Sequence, residues 1–307
     1  KREIMSDIAS RIKGIYHDKL GFYTFATLVL LIVFLFPSKG TVLANGSSGW
    51  QEAQPISPPT EHGVMATLTS DASGTLHVFW SSWAVNSETA EKRAILYANY
   101  RSGQWSEPID VFLSPNGQDA LYARTTVDAA GRLHLIWSAP EAQSFGPIYH
   151  SWVSIEQAAQ VQEWQEPVVI ASGTFQGDIA LDADGNLHIV YASVLDGLGI
   201  CHVLSMDNGD TWSAPTCLSR NYVLRDQEYE VRPRIAVDSE NNLHVVFMID
   251  DYSQLSTLAY TSRAVYYARF MTDSLTWSDA IVIDEVESRD PSYTERQPDW
   301  GNVIVDL

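Results

Sequence analysis

One heptad of sequence returns four times without a gap, and no other feature restricts the fold so tightly. It reads Asp71-Ala-Ser-Gly74-Thr-Leu76-His77, Asp128-Ala-Ala-Gly131-Arg-Leu133-His134, Asp182-Ala-Asp-Gly185-Asn-Leu187-His188 and Asp238-Ser-Glu-Asn241-Asn-Leu243-His244. The histidines stand 57, 54 and 56 residues apart. A fixed period of this length marks a chain built from stacked copies of one supersecondary unit. Each copy opens with a short apolar run, such as Ile179-Ala180-Leu181 or Ile235-Ala236-Val237. The turn follows, with Gly or Asn where a tight hairpin needs positive φ and Asp where its amides need an acceptor.

A second apolar strand leaves the turn, as in Leu133–Trp137. A third follows, as in Ile95–Tyr100 or Val265–Phe270, and a fourth begins at Trp105, Trp164, Trp212 or Trp277. Four strands in about 55 residues is the size of one β-propeller blade. The recurrent Trp offers a large apolar surface to wedge neighbouring blades together. The predicted fold class is therefore all-β, a β-propeller with blades at 63–113, 120–171, 177–219 and 231–284. Asn302–Leu307 repeats the start of the pattern, so a fifth blade is expected from about 301. The expectation is a piece of a longer protein, six-bladed when complete.

The N-terminus has a different character. Lys1, Arg2, Arg11, Lys13 and Lys19 precede the apolar run Leu20–Phe36. This order predicts a basic cytoplasmic segment (1–19) and a hydrophobic helix (20–36) that acts as a signal peptide or a transmembrane anchor. Val42-Leu43-Ala44 offers a cleavage site, so cleaved signal and retained anchor both stand. Residues 37–62 read as a linker rich in Gly, Ser and Pro. Either way, the blades are expected outside the cytoplasm, anchored or secreted. The formal charge of −19 and pI near 4.6 repel a phosphate backbone, which excludes nucleic acid as a partner. The two cysteines, Cys201 and Cys217, flank one predicted hairpin. They read as a cross-strand disulfide or as two buried thiols.

In the third unit, Ser205-Met-Asp207-Asn-Gly209-Asp-Thr211-Trp212 is a complete S-x-D-x-G-x-T-W Asp-box, with remnants before Trp105, Trp164 and Trp277. This resembles the sialidase (neuraminidase) superfamily of Asp-box, or BNR-repeat, propellers, over about residues 63–307. The resemblance implies a structural role for Ser205, Asp207, Gly209, Thr211 and Trp212. It also implies a glycan as ligand, and exo-α-sialidase chemistry through an arginine triad, an Asp acid/base and a Tyr–Glu nucleophile. The family's first triad arginine stands in a Phe/Tyr-Arg-Ile-Pro stretch, whereas here no arginine occurs between Lys39 and Arg93. Arg232-Pro233-Arg234-Ile235 holds similar residues in another order and in the fourth blade.

Candidate chemistry falls on the face where blades connect and where strands two and three join. Those loops lie near 81–94, 113–120, 138–147, 192–199, 220–232, 248–264 and 285–300. The residue four before each turn Asp is expected to open on the channel mouth. It is Thr67, Arg124, Asp178, Arg234 or Asn302, polar in an otherwise apolar strand. Channel-lining polarity explains such a ring, and so does a ligand site containing Arg124, Asp178 and Arg234. Arg225–Arg232 and Asp250-Asp251-Tyr252 concentrate carboxylates, Tyr and Arg, the materials of glycoside hydrolysis and of sugar binding alike. The candidates for catalysis are thus Arg124, Asp178, Arg234, Glu228, Tyr229, Asp250 and Asp251; those for binding are Arg124, Asp178, Arg232, Arg234 and Tyr252. Tyr293–Trp300 has the same character. The four repeat histidines occupy one position in four blades, so they do not converge on a metal. Asp182/Asp184 and Asp207/Asp210 offer oxygen ligands to Ca²⁺ without a full loop signature, and no cofactor is expected. Two functions remain: a sialidase-like glycan-recognising protein, or a non-catalytic propeller binding protein or carbohydrate at the cell surface.

Overall fold

The computed structural model describes residues 53–57, 59–84, 93–141, 145–195, 199–252 and 261–285. The basic segment, the apolar run 20–36, the segment 293–300 and the fifth repeat at 301 lie outside them. Four antiparallel units follow one another. The first is β1 (Glu61–Ser70), β2 (Leu76–Ala84) and β3 (Ala94–Arg101), with β4 (Gln104–Trp105) and β5 (Ile109–Phe112) both pairing β3. The second is β6 (Leu121–Val127), β7 (Arg132–Ser138), β8 (Gly146–Ser154) and the first part of β9 (Val168–Leu181). The third takes the rest of β9, then β10 (Leu187–Ser193), β11 (Gly199–Ser205) and β12 (Thr216–Cys217). The fourth is β13 (Glu228–Val237), β14 (Leu243–Asp251) and β15 (Thr261–Met271), with β16 (Thr276–Trp277) and β17 (Ile281–Glu285) both pairing β15.

The repeat alone predicts a break between residues 171 and 177, yet β9 runs through it. Val168–Ala171 pairs with β8 and Thr174–Leu181 with β10, so the second and third units share one seven-stranded sheet. Gly177 lets the strand pass this corner, since a Cβ there would stand 3.0 Å from both Ile148 Cδ1 and Val190 O.

The core is a series of seams between consecutive units. Phe79, Ile95 and Tyr97 of the first unit meet Leu133, Trp137 and Trp164 of the second. Ile136 and Ile148 meet Ile179, Ile189 and Cys201. Val190, Ile200 and Leu218 meet Val245, Phe247 and Ala264. Because neighbours cover both faces, the second strand of each unit is buried along its length, as in Leu133–Ser138. Three of the four recurrent Trp residues reach across a seam. Trp164 packs edge-on against Phe79, Trp212 lies over His150, and Trp277 donates from Nε1 to Thr216 O at 3.0 Å. Trp105 instead lies against Tyr100 of its own unit.

Each hairpin turn is closed by the heptad's own side chains. Asp71 Oδ1 accepts from Ser73 N and Thr75 N, at 2.8 and 2.9 Å. Asp182 Oδ1 accepts from Asp184 N and Asn186 N, at 3.0 and 2.7 Å, and Asp238 Oδ1 from Glu240 N and Asn242 N, at 2.9 and 2.8 Å. The other oxygen takes the histidine's Nε2–H in all four units, at 3.5, 3.3, 3.2 and 3.0 Å. A carboxylate only accepts, so this bond places the proton on Nε2 and leaves Nδ1 as an acceptor. A third-strand donor meets it: Tyr97 OH at 2.8 Å, His150 Nε2 at 3.2 Å, His202 Nε2 at 3.0 Å and Tyr267 OH at 2.8 Å. The relay ties turn, second strand and third strand together.

In the third unit, the turn joining its third and fourth strands carries a further network. Ser205 Oγ donates to Asp207 Oδ1 and accepts from Gly209 N, both at 2.8 Å, while Thr211 gives its N–H and Oγ1–H to the two Asp207 oxygens. Gly209 (φ 93°) seats its backbone on the second unit's His150, whose Cε1 would be 2.4 Å from an added Cβ. Nearby, β11 and β12 are clamped by a Cys201–Cys217 disulfide, the pair standing opposite in register.

Two stability predictions follow from this architecture. Burial pushes the imidazoles of His150 and His202 down to about 3, and the paired His134 and His188 lower each further. Unfolded, they titrate near 6.5. The unfolded chain therefore binds more protons between these values, and stability, complete above about pH 6.5, falls as the pH drops toward 3. At pH 5 each histidine should cost about 2 kcal/mol. A urea series against pH should show this slope, with His202→Gln making it shallower; a flat profile over that window would refute the account. Reducing the disulfide, which spans 16 residues of sequence, should lower unfolding stability by about 3 kcal/mol in the same assay.

Candidate functional site

The innermost strands β1, β6, β9 and β13 pack in succession, and three of them bring chain-distant charges together. Asp178 on β9 is the centre. Its Oδ1 accepts from Ile179 N and its Oδ2 from Ile235 N on β13, both at 3.1 Å. Arg124 on β6 places Nε 3.7 Å from Oδ1. Only 14% of the Asp178 side chain is exposed. Burial raises its pKa, while the positive charges of Arg234 and Arg124 oppose that rise. Arg234 on β13 is pushed down to about 10 by burial, with Arg124 and Arg232 repelling it and Asp178 supporting its charge. It stays a cation at neutral pH. Arg124 and Arg234 fold back in the same way, each donating through an NH1 nitrogen to the carbonyl before it, at 2.7 Å.

A shared backbone irregularity sets this arrangement. The register between first and second strand slips in all four units: between Val64 and Thr67, Leu121 and Arg124, Thr174 and Gly177, and Val231 and Arg234. Met65, Tyr122 and Arg232 sit at three of these bulges with φ of 58°, 57° and 52°. Non-glycine residues rarely adopt that conformation, and bulges re-aim side chains beside binding sites. In the fourth unit the bulge turns Arg232 onto Asp250, NH1 to Oδ2 at 2.6 Å, and Ser262 Oγ donates to Asp250 Oδ1 at 2.7 Å. Asp250 is fully buried; burial raises its pKa against the pull of Arg232.

The other sequence candidates form a separate nest at the start of β13 and the end of β14. Glu228 accepts from Arg263 Nε at 2.7 Å and from Arg225 N at 2.8 Å, and Arg263 also pairs with Glu285. Asp251 stands opposite Glu228 in register and is buried. The Tyr229 ring lies between Phe145 and Tyr252, with centroids at 5.8 and 5.7 Å. The candidate list thus divides into an inner-strand group, Arg124, Asp178 and Arg234, a pair of Arg232 with Asp250 beside it, and a nest of Glu228 and Asp251 edged by Tyr229 and Tyr252.

Sequence reading missed Arg263 and a second network. Glu230 is gripped by Arg220, and Tyr222 OH donates to its Oε1 at 3.1 Å. Gly199 (φ 75°) makes room for the pair, since a Cβ would stand 2.8 Å from Glu230 Oε1. Among the described residues, no group of three or more His, Cys, Asp or Glu side chains converges as metal ligands. No described helix is long and apolar enough to cross a membrane.

No family model matches the chain, and no curated protein matches it in sequence. Solved structures do. A protein of unknown function from Dyadobacter fermentans aligns over 73% of this chain and 70% of its own, with TM-score 0.53 and 11% identity. The arabinofuranosidase Arb93A of Fusarium graminearum aligns over 72% and 66%, with TM-score 0.52 and 15% identity. The NanB sialidase of Streptococcus pneumoniae aligns over 75% and 54%, with TM-score 0.50 and 11% identity. The chain therefore spans about half of that sialidase. These likenesses establish the fold alone: a β-propeller of the kind found in glycan-active proteins.

Asp178 pairs with Arg124, faces the charge of Arg234 and accepts from a β13 amide. Asp178→Ala should destabilise the protein by about 3–5 kcal/mol, because it leaves buried positive charge uncompensated. Urea denaturation measures it; a loss below about 1 kcal/mol would show the arginines satisfied without it.

Proposed function

We propose that this chain is an extracytoplasmic propeller that recognises acidic glycans at the channel mouth through Arg124 and Arg234, with the N-terminal apolar segment as its signal or anchor. One observation carries the reading: two arginines from different units flank a single buried carboxylate, leaving one positive charge in excess. A guanidinium that is largely buried and repelled by its neighbours gains most from a second anion, and a sugar carboxylate supplies one in planar, two-pronged form. The Ser205–Thr211 network supports the Asp-box reading, and with it the sialidase-like resemblance. Glycan-active proteins among the structural neighbours point to the same ligand class.

Recognition rather than hydrolysis is favoured because the candidate acids are already engaged. Glu228 is held by Arg263, and Asp250 by Arg232 and Ser262. A general acid must hold a proton within reach of the substrate, whereas these carboxylates accept hydrogen bonds from internal donors, which favours their ionised form.

Calorimetric titration of sialyllactose against lactose tests this. The acidic sugar should bind at least about tenfold more tightly, a difference of about 1.4 kcal/mol, and Arg234→Ala should abolish that preference. Equal affinity for both sugars would overturn the proposal. Turnover of a fluorogenic sialoside, lost in Asp250→Asn, would replace recognition with hydrolysis.

A further inference from the structure

The seam between the first two units holds a cavity of about 250 Å³ on the Asp-turn face, away from the mouth. It lies where the other seams are closed. In the second seam, Gly209 and Trp212 of the third unit cover His150, and in the third, the tilted Phe270 ring lies 4.2 Å from that of His202. Tyr97 is the equivalent residue in the first seam, bonded to His77 as those histidines are bonded to theirs. The second unit has no tight turn to lay over it. Its third strand instead runs into two 3₁₀ turns, Ile155–Gln157 and Val161–Glu163, and its Trp164 turns away to Phe79 and Phe112. The space above Tyr97 is left open, with Ile155, Glu156 and Ala159 as its far wall.

The lining mixes apolar wall with polar groups, and its charged residues are two acids and one base. Asp71 and Glu156 carry negative charge and Arg101 positive charge, while burial keeps the His77 imidazole below its ordinary pKa and so neutral. Both Asp71 oxygens serve the turn and His77. Ligand recognition therefore falls to Asn99, Arg101 and Glu156, with the Tyr97 hydroxyl, whose proton goes to His77, as an acceptor: donors and acceptors side by side, with no excess of positive charge to attract an anion. Hydroxyl groups, each both donor and acceptor, match such a lining. The volume equals roughly eight waters, room for one pyranose ring.

We propose that this cavity is a second binding site, independent of the channel mouth, for a neutral monosaccharide unit. Saturation-transfer NMR on the full chain tests it with glucose, galactose, mannose, arabinose and N-acetylglucosamine as probes. At least one should receive saturation. Ala159→Trp, which fills the cavity from an exposed turn position, should reduce its affinity at least about tenfold, and Glu156→Ala should weaken it as well. Arg234→Ala should leave it unchanged. No transfer to any of the five sugars overturns the proposal. So does binding that survives both cavity variants, or binding lost with Arg234, which would place the sugar at the mouth. Both cavity substitutions fall on exposed residues, and an unchanged far-ultraviolet spectrum shows the variants folded.

Discussion

The structure depends on a carboxylate that does two jobs at once. In each unit the turn aspartate satisfies the amides of a tight hairpin with one oxygen and fixes a histidine with the other. Without the histidine, that strand would present only apolar groups to the turn, and the carboxylate would have to be solvated or paired elsewhere. The histidine is in turn tolerable inside the sheet because both its nitrogens are spoken for. Against the upward push of partial burial, the hydrogen bond from His244 and those from the turn hold Asp238 down to about 2, so the anion survives across the physiological range. Four copies of one polar device therefore set the hairpin geometry on which the seams are built.

The seams carry that local order from unit to unit. Each unit contributes large apolar groups to its neighbour, and the innermost strands are brought side by side. At that convergence Arg124 and Asp178 are largely withdrawn from water, and Asp178 bonds the β13 backbone and faces the charges of both Arg124 and Arg234. At the Asp-turn face, a smaller clamp repeats the logic: Asn241 donates to Asp184 at 2.7 Å and accepts from Ala183 N at 2.9 Å, joining the turns of the third and fourth units.

The repeat carried most of the fold into view because its determinants are local: a turn, a strand and a fixed number of residues. The heptad placed the hairpins, and the position four before each Asp led to Arg124, Asp178 and Arg234. What stayed hidden depends on distance in the chain. Nothing near Glu228 foretells that Arg263, thirty-five residues on, neutralises it. The bulges at Met65, Tyr122 and Arg232 were equally silent, because a positive φ at such residues is imposed by strand packing rather than by their own preference. The break expected near residue 174 failed for a similar reason. The stretch between the two blades belongs to a strand that pairs first with β8 and then with β10.

The same contrast separates structural charge from charge available to a ligand. Glu228, Glu230 and Asp250 each have guanidinium partners in firm geometry, so their charges are spent within the fold. Arg234 differs. Among the described residues its hydrogen bond goes to the carbonyl of its own neighbour, Pro233, and its nearest carboxylate is shared with Arg124. On a chain of net charge −19, an under-compensated arginine in a channel has an electrostatic cost that a bound anion would relieve. The acidic surface slows the approach of such an anion from afar and, by the same field, discriminates against polyanions that cannot enter far enough to reach it. For the proposed site, a single carboxylate on an otherwise neutral sugar is the ligand that both effects would favour.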